Sequence, residues 1–223
     1  MAKRVRLDLE GPIAPQMAEA GAIVRGGGLL IYPTDTFYGI GVDPFQSAAV
    51  DRIFVVKGRA PNKPILVLVA ALEEAQRCAD LEVEYFDRLT EAFWPGPLTL
   101  VLPGSPRLPS NVTAGTGKIG IRLPGSQVAR EIVGGCGGVL TGTSANLSGD
   151  KDPREIRTIA DSVARVADLI IDVGVSPSRV PSTLLDLTGL SPRILRRGAI
   201  PLSEIEKALG FKITDGAAEA SLI

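Results

Sequence analysis

An α/β layered fold with a mixed β-sheet is what this sequence predicts, and three observations carry that expectation. Short β-type apolar runs alternate with helical patterns along the chain, as in layered α/β domains rather than bundles or sandwiches. Several runs are followed by turn-rich segments with little room for a crossover, so neighbouring strands should pair in both senses. No internal repeat or low-complexity block interrupts the alternation, and no linker is visible. A single domain over 1–223 is expected, with its core at about 12–210 and a frayed C-terminal tail, "TDGAAEASLI".

In order, the pattern predicts a helix over 14–25 and a strand at "GGLLIYP" (27–33), then a helix over 46–56 and a strand at "PILVLVA" (64–70). Helices over 71–79 and 83–93 precede strands at "PLTLVLP" (97–103) and "KIGIRLP" (118–124). A helix over 125–133 leads to the strand "GGVLTGTS" (137–144). A helix over 153–166 starts well: Asp152 can cap it, Pro153 suits its first turn, and Glu155 complements the helix dipole. Strands "ADLIIDVG" (167–174), "STLLDLT" (182–188) and "RILRRG" (193–198) follow, and a helix over 202–209 closes the series.

Composition excludes several chemistries. The chain has 223 residues, enough to bury roughly 70–75% of its unfolded surface. It carries 24 basic and 25 acidic side chains, so no global basic field marks a nucleic-acid protein, and any anion must be held locally. There is no histidine, which removes the usual Ser-His-Asp and Cys-His hydrolases, histidine metal sites and histidine proton shuttles. Cys78 and Cys136 lie far apart without a CxxC partner, so neither a disulfide framework nor a metal site is expected. No apolar run reaches the length of a membrane helix and no signal peptide is apparent, so the expectation is a cytoplasmic protein without a membrane partner.

"GTGKIG" (115–120) matches the dinucleotide fingerprint in letters but not in context, because a strand follows where a helix must stand. Four other turn-rich segments end apolar strands or helices, where α/β folds bind ligands: "YPTDTFYGIG" (32–41), "KGRAPNKP" (57–64), "TGTSANLSG" (141–149) and "VPSTLLD" (180–186). In the second, Arg59 can hold a phosphate through two parallel hydrogen bonds and Lys57 can act as a mobile point charge. A solvated cationic turn closing a helix explains the same residues. The third brings Thr141, Thr143, Ser144, Asn146 and Ser148 to one sheet edge, neutral groups suited to phosphate or carboxylate oxygens. An ordinary Ser/Asn turn is the alternative.

Taken together and in order, "YPTDTFYGIGVD", "KGRAPNKPI", "WPGPLTLVL", "IGIRLP", "TGTSANLSG", "PSTLLDLT" and "ILRRGAI" resemble the YrdC-like family, the threonylcarbamoyl-AMP synthases, over about residues 20–200. The resemblance implies a three-layer α/β fold with a twisted mixed β-sheet around a central cavity. It also implies condensation of L-threonine, bicarbonate and ATP, with Mg²⁺ carried by the ATP, to threonylcarbamoyl-AMP and pyrophosphate. Partner proteins then use that product for the t6A modification at position 37 of tRNA. The family's tetrad falls on Lys57, Arg59, Ser144 and Asn146 as catalytic residues. Thr34, Thr36, Arg122 and Ser182 fall near the threonine, and Arg154 and Arg196 near the nucleotide together with Lys57, Arg59 and Asn146. Lys63 falls on the rim, and no protein-held metal is implied. Many relatives carry a histidine where this chain has Leu68, and longer members add a C-terminal domain that this chain is too short to hold. The alternative reading is an RNA-binding member without synthase activity, one that takes tRNA or double-stranded RNA into the same cavity. The near-neutral charge and few aromatics give that reading little support.

Overall fold

The computed structural model describes residues 2–58, 60, 63–176 and 178–215, apart from the side chains of Thr214 and Asp215. Its strands divide between two sheets. One has the order β1 (Lys3–Arg6), β9 (Leu169–Asp172), β2 (Leu30–Tyr32), β3 (Gly39–Gly41), β8 (Thr143–Ser144). The other runs β12 (Thr214–Asp215), β11 (Arg193–Arg196), β10 (Thr183–Asp186), β5 (Leu98–Pro103), β6 (Lys118–Arg122), β4 (Val67–Val69), β7 (Val139–Thr141). Both are mixed as expected: β2 is parallel to β9 and antiparallel to β3, while β6 is parallel to β4 and antiparallel to β5.

The run 137–144 is not one strand, because the chain changes sheets at Gly142. Thr141 pairs with Val67 in the seven-stranded sheet, and Thr143 pairs with Ile40 in the five-stranded one. Gly142 N–H donates to Leu66 O at 2.8 Å. A Cβ at this position would stand 2.7 Å from Leu68 Cγ, so the close approach requires glycine. Thr141 reinforces the seam, its hydroxyl accepting from Val42 N–H at 2.9 Å and donating to Ile40 O at 3.0 Å.

Both faces of the inner strands are covered, which is why they read as continuous apolar runs. Leu29, Ile31, Val67 and Val69 belong to the larger core cluster, while their neighbours Leu30, Tyr32 and Leu68 point into the second. The larger core takes Ala49, Val50 and Ile53 of α2 (Ser47–Lys57), Phe86 and Leu89 of α3 (Phe86–Phe93), and Ile205 and Leu209 of α6 (Leu202–Leu209). The second is closed by Met17, Ala20 and Val24 of α1 (Ala14–Arg25) and by Ile132 and Val133 of α4 (Gln127–Gly135). Cys78 and Cys136 are free and buried, and burial pushes both thiols up to about 12.

Three further expectations, all of helices, need correction. The helix over 153–166 is instead a 3₁₀ turn at Ile156–Thr158 followed by the short α5 (Asp161–Ala164). Its first residues pair sideways, Pro153 O accepting from Tyr38 N–H and Arg154 O from Ser176 N–H, so those carbonyls are not available to a helix ladder. The segment 71–79 holds a 3₁₀ helix at Leu72–Arg77, and the helix expected from 83 starts at Phe86. β1, β3 and β12 were not legible: KRVR is mostly exposed, GIG carries one side chain beyond hydrogen, and Thr214–Asp215 is a two-residue pairing. Among the described residues, no helix is long and apolar enough to cross a membrane.

Candidate active site

The turn between β2 and β3 carries Thr34 and Thr36, both buried. Thr34 Oγ1 donates to Phe37 O at 2.7 Å and accepts from the N–H groups of Thr36 and Phe37. Its one proton is therefore used, so in the 3.1 Å contact with Thr36 Oγ1 it is Thr36 that donates. Thr36 Oγ1 in turn accepts from Arg122 Nη1 at 3.3 Å. Arg122 ends β6 and is 1% exposed. Asp35 Oδ1 stands 3.4 Å from Arg122 Nη2, while Asp35 Oδ2 is held by Gly125 N–H. Arg122 Nε is buried without a hydrogen-bond partner among the described residues. A buried guanidinium with a donor to spare suits an incoming carboxylate or phosphate.

A second arginine is held further along the same seven-stranded sheet, beyond β5 and β10. Arg196, at the end of β11, donates from Nε and Nη2 to Ser182 O at 3.2 and 3.1 Å and from Nη2 to Ser182 Oγ at 3.1 Å. Ser182 Oγ lies 2.8 Å from Thr99 Oγ1. The Arg196 side chain keeps contact with water but is walled by protein. That desolvation lowers its pKa; Asp152 pulls it up, and the like charge of Arg122 adds to the lowering.

The third group is built on the loop after β8. Lys57, the last residue of α2, is 3% exposed and donates to Asn146 O and Asn146 Oδ1, each at 2.8 Å, and to Ser144 O. Gly58 at φ 55° terminates the helix there, and Lys57 O accepts from Ser148 N–H at 2.9 Å. On the far side of the amide, Asn146 Nδ2 donates to Asp150 O at 2.7 Å and Asp152 Oδ1 at 3.2 Å. An ammonium can only donate and a carbonyl can only accept, so these partners fix the orientation of the amide. Ser144 Oγ, 2.7 Å from Asn146 Oδ1, must then be the donor.

These groups meet at one cavity of about 140 Å³. Of the residues singled out from sequence, Thr34, Thr36, Arg122, Ser144, Ser182 and Arg196 line it. Lys57 and Asn146 stand behind Ser144 and act on the wall, so Lys57 is not the mobile point charge expected of it. Arg154 is also displaced from its expected place: it donates to Ser176 O and Ser178 O at 2.8 and 2.9 Å and ties down that loop. Arg59 lies outside the described residues. Lys63 is half-exposed beyond α2. "GTGKIG" is a turn, with Gly115 and Gly117 at φ 71° and 69°, running straight into β6.

Sequence reasoning missed Asp152, which lines the cavity instead of capping a helix, and Thr99, whose hydroxyl was hidden in an apolar strand. It also missed Asp35 and Ser176. The latter is buried and donates to Thr36 O at 2.7 Å, fixing the Thr34–Thr36 turn from outside.

Two mixed sheets meeting at a glycine seam, with a polar cavity lined by hydroxyls and two arginines, define the class: a mixed α/β domain built around a buried polar pocket. More narrowly, the chain belongs to the Sua5/YciO/YrdC family, whose model, described as telomere recombination, matches residues 22–198. It is 37% identical over 191 residues to the threonylcarbamoyl-AMP synthase of Pyrococcus abyssi, covering 86% of this chain and 56% of that one. It is 35% identical over 198 residues to the Bacillus subtilis protein of the same name, covering 88% and 57%. The crystal structure of P. abyssi Sua5 complexed with L-threonine superposes with a TM-score of 0.88 at 34% identity, covering 96% of this chain and 62% of that one. The chain thus spans a little over half the length of these two curated relatives.

Proposed function

We propose that this chain is an L-threonylcarbamoyladenylate synthase, a nucleotidyltransferase that joins L-threonine, bicarbonate and ATP into threonylcarbamoyl-AMP and releases pyrophosphate. The observation that carries the reading is the placement of Arg122 and Arg196, from different strands, on one hydroxyl-lined cavity. The names of the relatives and the threonine complex of P. abyssi Sua5 point the same way.

The free threonine amine condenses with bicarbonate, its new C–N bond replacing a C–O bond that leaves as water, to give a carbamate, and a carbamate oxygen then attacks the α-phosphorus of ATP as pyrophosphate leaves. Nucleophile and electrophile are both anionic, so the work lies in alignment and charge neutralisation, for which no histidine base is required. Arg122, steadied by Thr36 and Asp35, takes the threonine carboxylate. Arg196, fixed on Ser182, faces the nucleotide phosphates, and Arg59 is assigned to the same phosphates on the strength of the KGRAPNKP motif alone. Lys57 and Asn146 hold Ser144 in place, and Arg154 serves the site through the carbonyls of Ser176 and Ser178. Mg²⁺ enters with ATP as part of the substrate. The product passes to proteins that install t6A at position 37 of tRNA.

Incubating the purified protein with ATP, Mg²⁺, bicarbonate and each amino acid in turn tests the reading. Pyrophosphate release with threonine is expected. Release independent of the amino acid, or salt-dependent tRNA binding without ATP consumption, overturns it.

A further inference from the structure

Ser144 and Asp152 flank a single amide, that of Asn146, and both line the cavity. The Lys57 ammonium on one side and Asp150 O on the other fix which end of that amide is oxygen. The Ser144 proton is therefore committed to Asn146 Oδ1, and its hydroxyl can offer the cavity only lone pairs. Asp152 accepts from Asn146 Nδ2 through Oδ1, and Oδ2 has no hydrogen-bond partner among the described residues. This stretch of wall thus presents oxygen acceptors and a negative charge, although a triphosphate must enter the same cavity under the proposed function. The Arg196 guanidinium lies within electrostatic range of this carboxylate but is itself assigned to the nucleotide phosphates, so Asp152 competes with them for that charge. A hard divalent cation removes the conflict, since Mg²⁺ is commonly bound by one or two carboxylates together with substrate phosphates, and a serine or threonine hydroxyl serves the same purpose in phosphate-binding loops.

We propose that Ser144 Oγ and the Asp152 carboxylate form an oxygen-ligand pair for the divalent cation that enters with the nucleotide, an inference that rests on the synthase reading. Lys57 and Asn146 are positioning residues for that pair: they keep the serine proton turned away from the metal.

Mn²⁺ serves as the probe. Free Mn²⁺ is followed by electron paramagnetic resonance while it is titrated into the protein holding β,γ-imido-ATP, and nucleotide affinity is measured separately by calorimetry without metal. Asp152→Asn keeps the acceptor for Asn146 and removes the charge. Ser144→Ala removes the second ligand. Each is expected to weaken Mn²⁺ binding by about tenfold or more, the scale on which loss of one metal-site partner acts. Metal-free nucleotide affinity should be unchanged or improved in Asp152→Asn, because a repulsive charge is gone. Mn²⁺ affinity within about twofold of the unaltered protein in both variants overturns the pair. So does an equal loss of metal-free nucleotide affinity in Asp152→Asn, which would place that carboxylate against the nucleotide itself, for instance on its ribose. Failure of the unaltered protein to bind the nucleotide at all is a separate result; it overturns the synthase reading and the pair with it.

Discussion

Lys57 Nζ donates to Asn146 Oδ1 at 2.8 Å, joining the end of α2 to a loop 89 residues away. Through the same ammonium, α2 also holds the main-chain oxygens of Ser144 and Asn146. The cation is buried, and its bonds set the amide, which in turn sets the serine hydroxyl. A charge that looks like a ligand-binding group in the sequence is, in the fold, the fixed point of the cavity wall.

Replacing Lys57 by methionine keeps most of the buried stem and removes the donors. Buried acceptors on the 144–146 loop then lose their partner, and a cost of at least about 1–3 kcal/mol is expected. A denaturant titration measures it, and amide exchange at Ser148, which donates to Lys57 O, should speed up more than exchange in α1. Arginine should not rescue, because a planar fork cannot reproduce three converging donors. Full stability in Lys57→Met would disprove the positioning role.

Arg122 is expected to act on threonine and not on ATP. Arg122→Lys keeps the charge but loses the fork and the spare Nε donor, so KM for threonine should rise by on the order of 10²-fold, the scale of truncating a buried charge-pair partner. KM for ATP should change little. A matched rise in both constants would show that the guanidinium serves the whole cavity.

Gly142 tests the seam between the sheets. Gly142→Ala forces a Cβ against Leu68 Cγ and should destabilise by about 1–3 kcal/mol, as overpacking does. Leu68→Ala alone opens a void and costs about 2–5 kcal/mol. In the double variant the new methyl meets vacated space, so the combined loss should be smaller than the sum, and thermal melts of the four proteins read that coupling. Strict additivity would mean that the seam is not set by this contact.

How much of this was legible before folding depends on range. The alternation of strand and helix, the mixed pairing and Ser144 could be reached from local pattern, whereas the cavity-lining Thr34, Thr36, Arg122, Ser182 and Arg196 came only through the family resemblance. What escaped depended on distant partners. Asp152, Pro153 and Glu155 form a good helix start by every local rule, yet Tyr38 and Ser176 take the backbone there into lateral pairing. The break at Gly142 is invisible until Leu68 stands beside it. No local rule says which oxygens a lysine ammonium will meet, so the bonds of Lys57 and Arg154 to distant carbonyls could not be read from the sequence.

Asp172 links pH to stability. Burial alone would push its carboxyl up. The Arg4 guanidinium at 2.6 Å and the Gly174 N–H at 2.8 Å outweigh burial and, with Tyr38, hold it below its ordinary 3.8. Asp186 is held low in the same sense, burial again opposed by Thr188 and Lys118. A depressed folded pKa means that the unfolded chain takes up the proton first as the pH falls. The stabilisation is therefore complete above about pH 5 and is lost progressively as the pH drops through the folded pKa. Asp172→Asn removes this carboxyl and the ion pair that ties β1 to β9. The variant should be less stable than the unaltered protein at pH 7, and the gap should narrow as the pH falls towards about 3. Paired urea titrations across that range read the gap directly. A difference that stays constant with pH would show that the aspartate contributes through its shape and hydrogen bonds, with no part played by its charge.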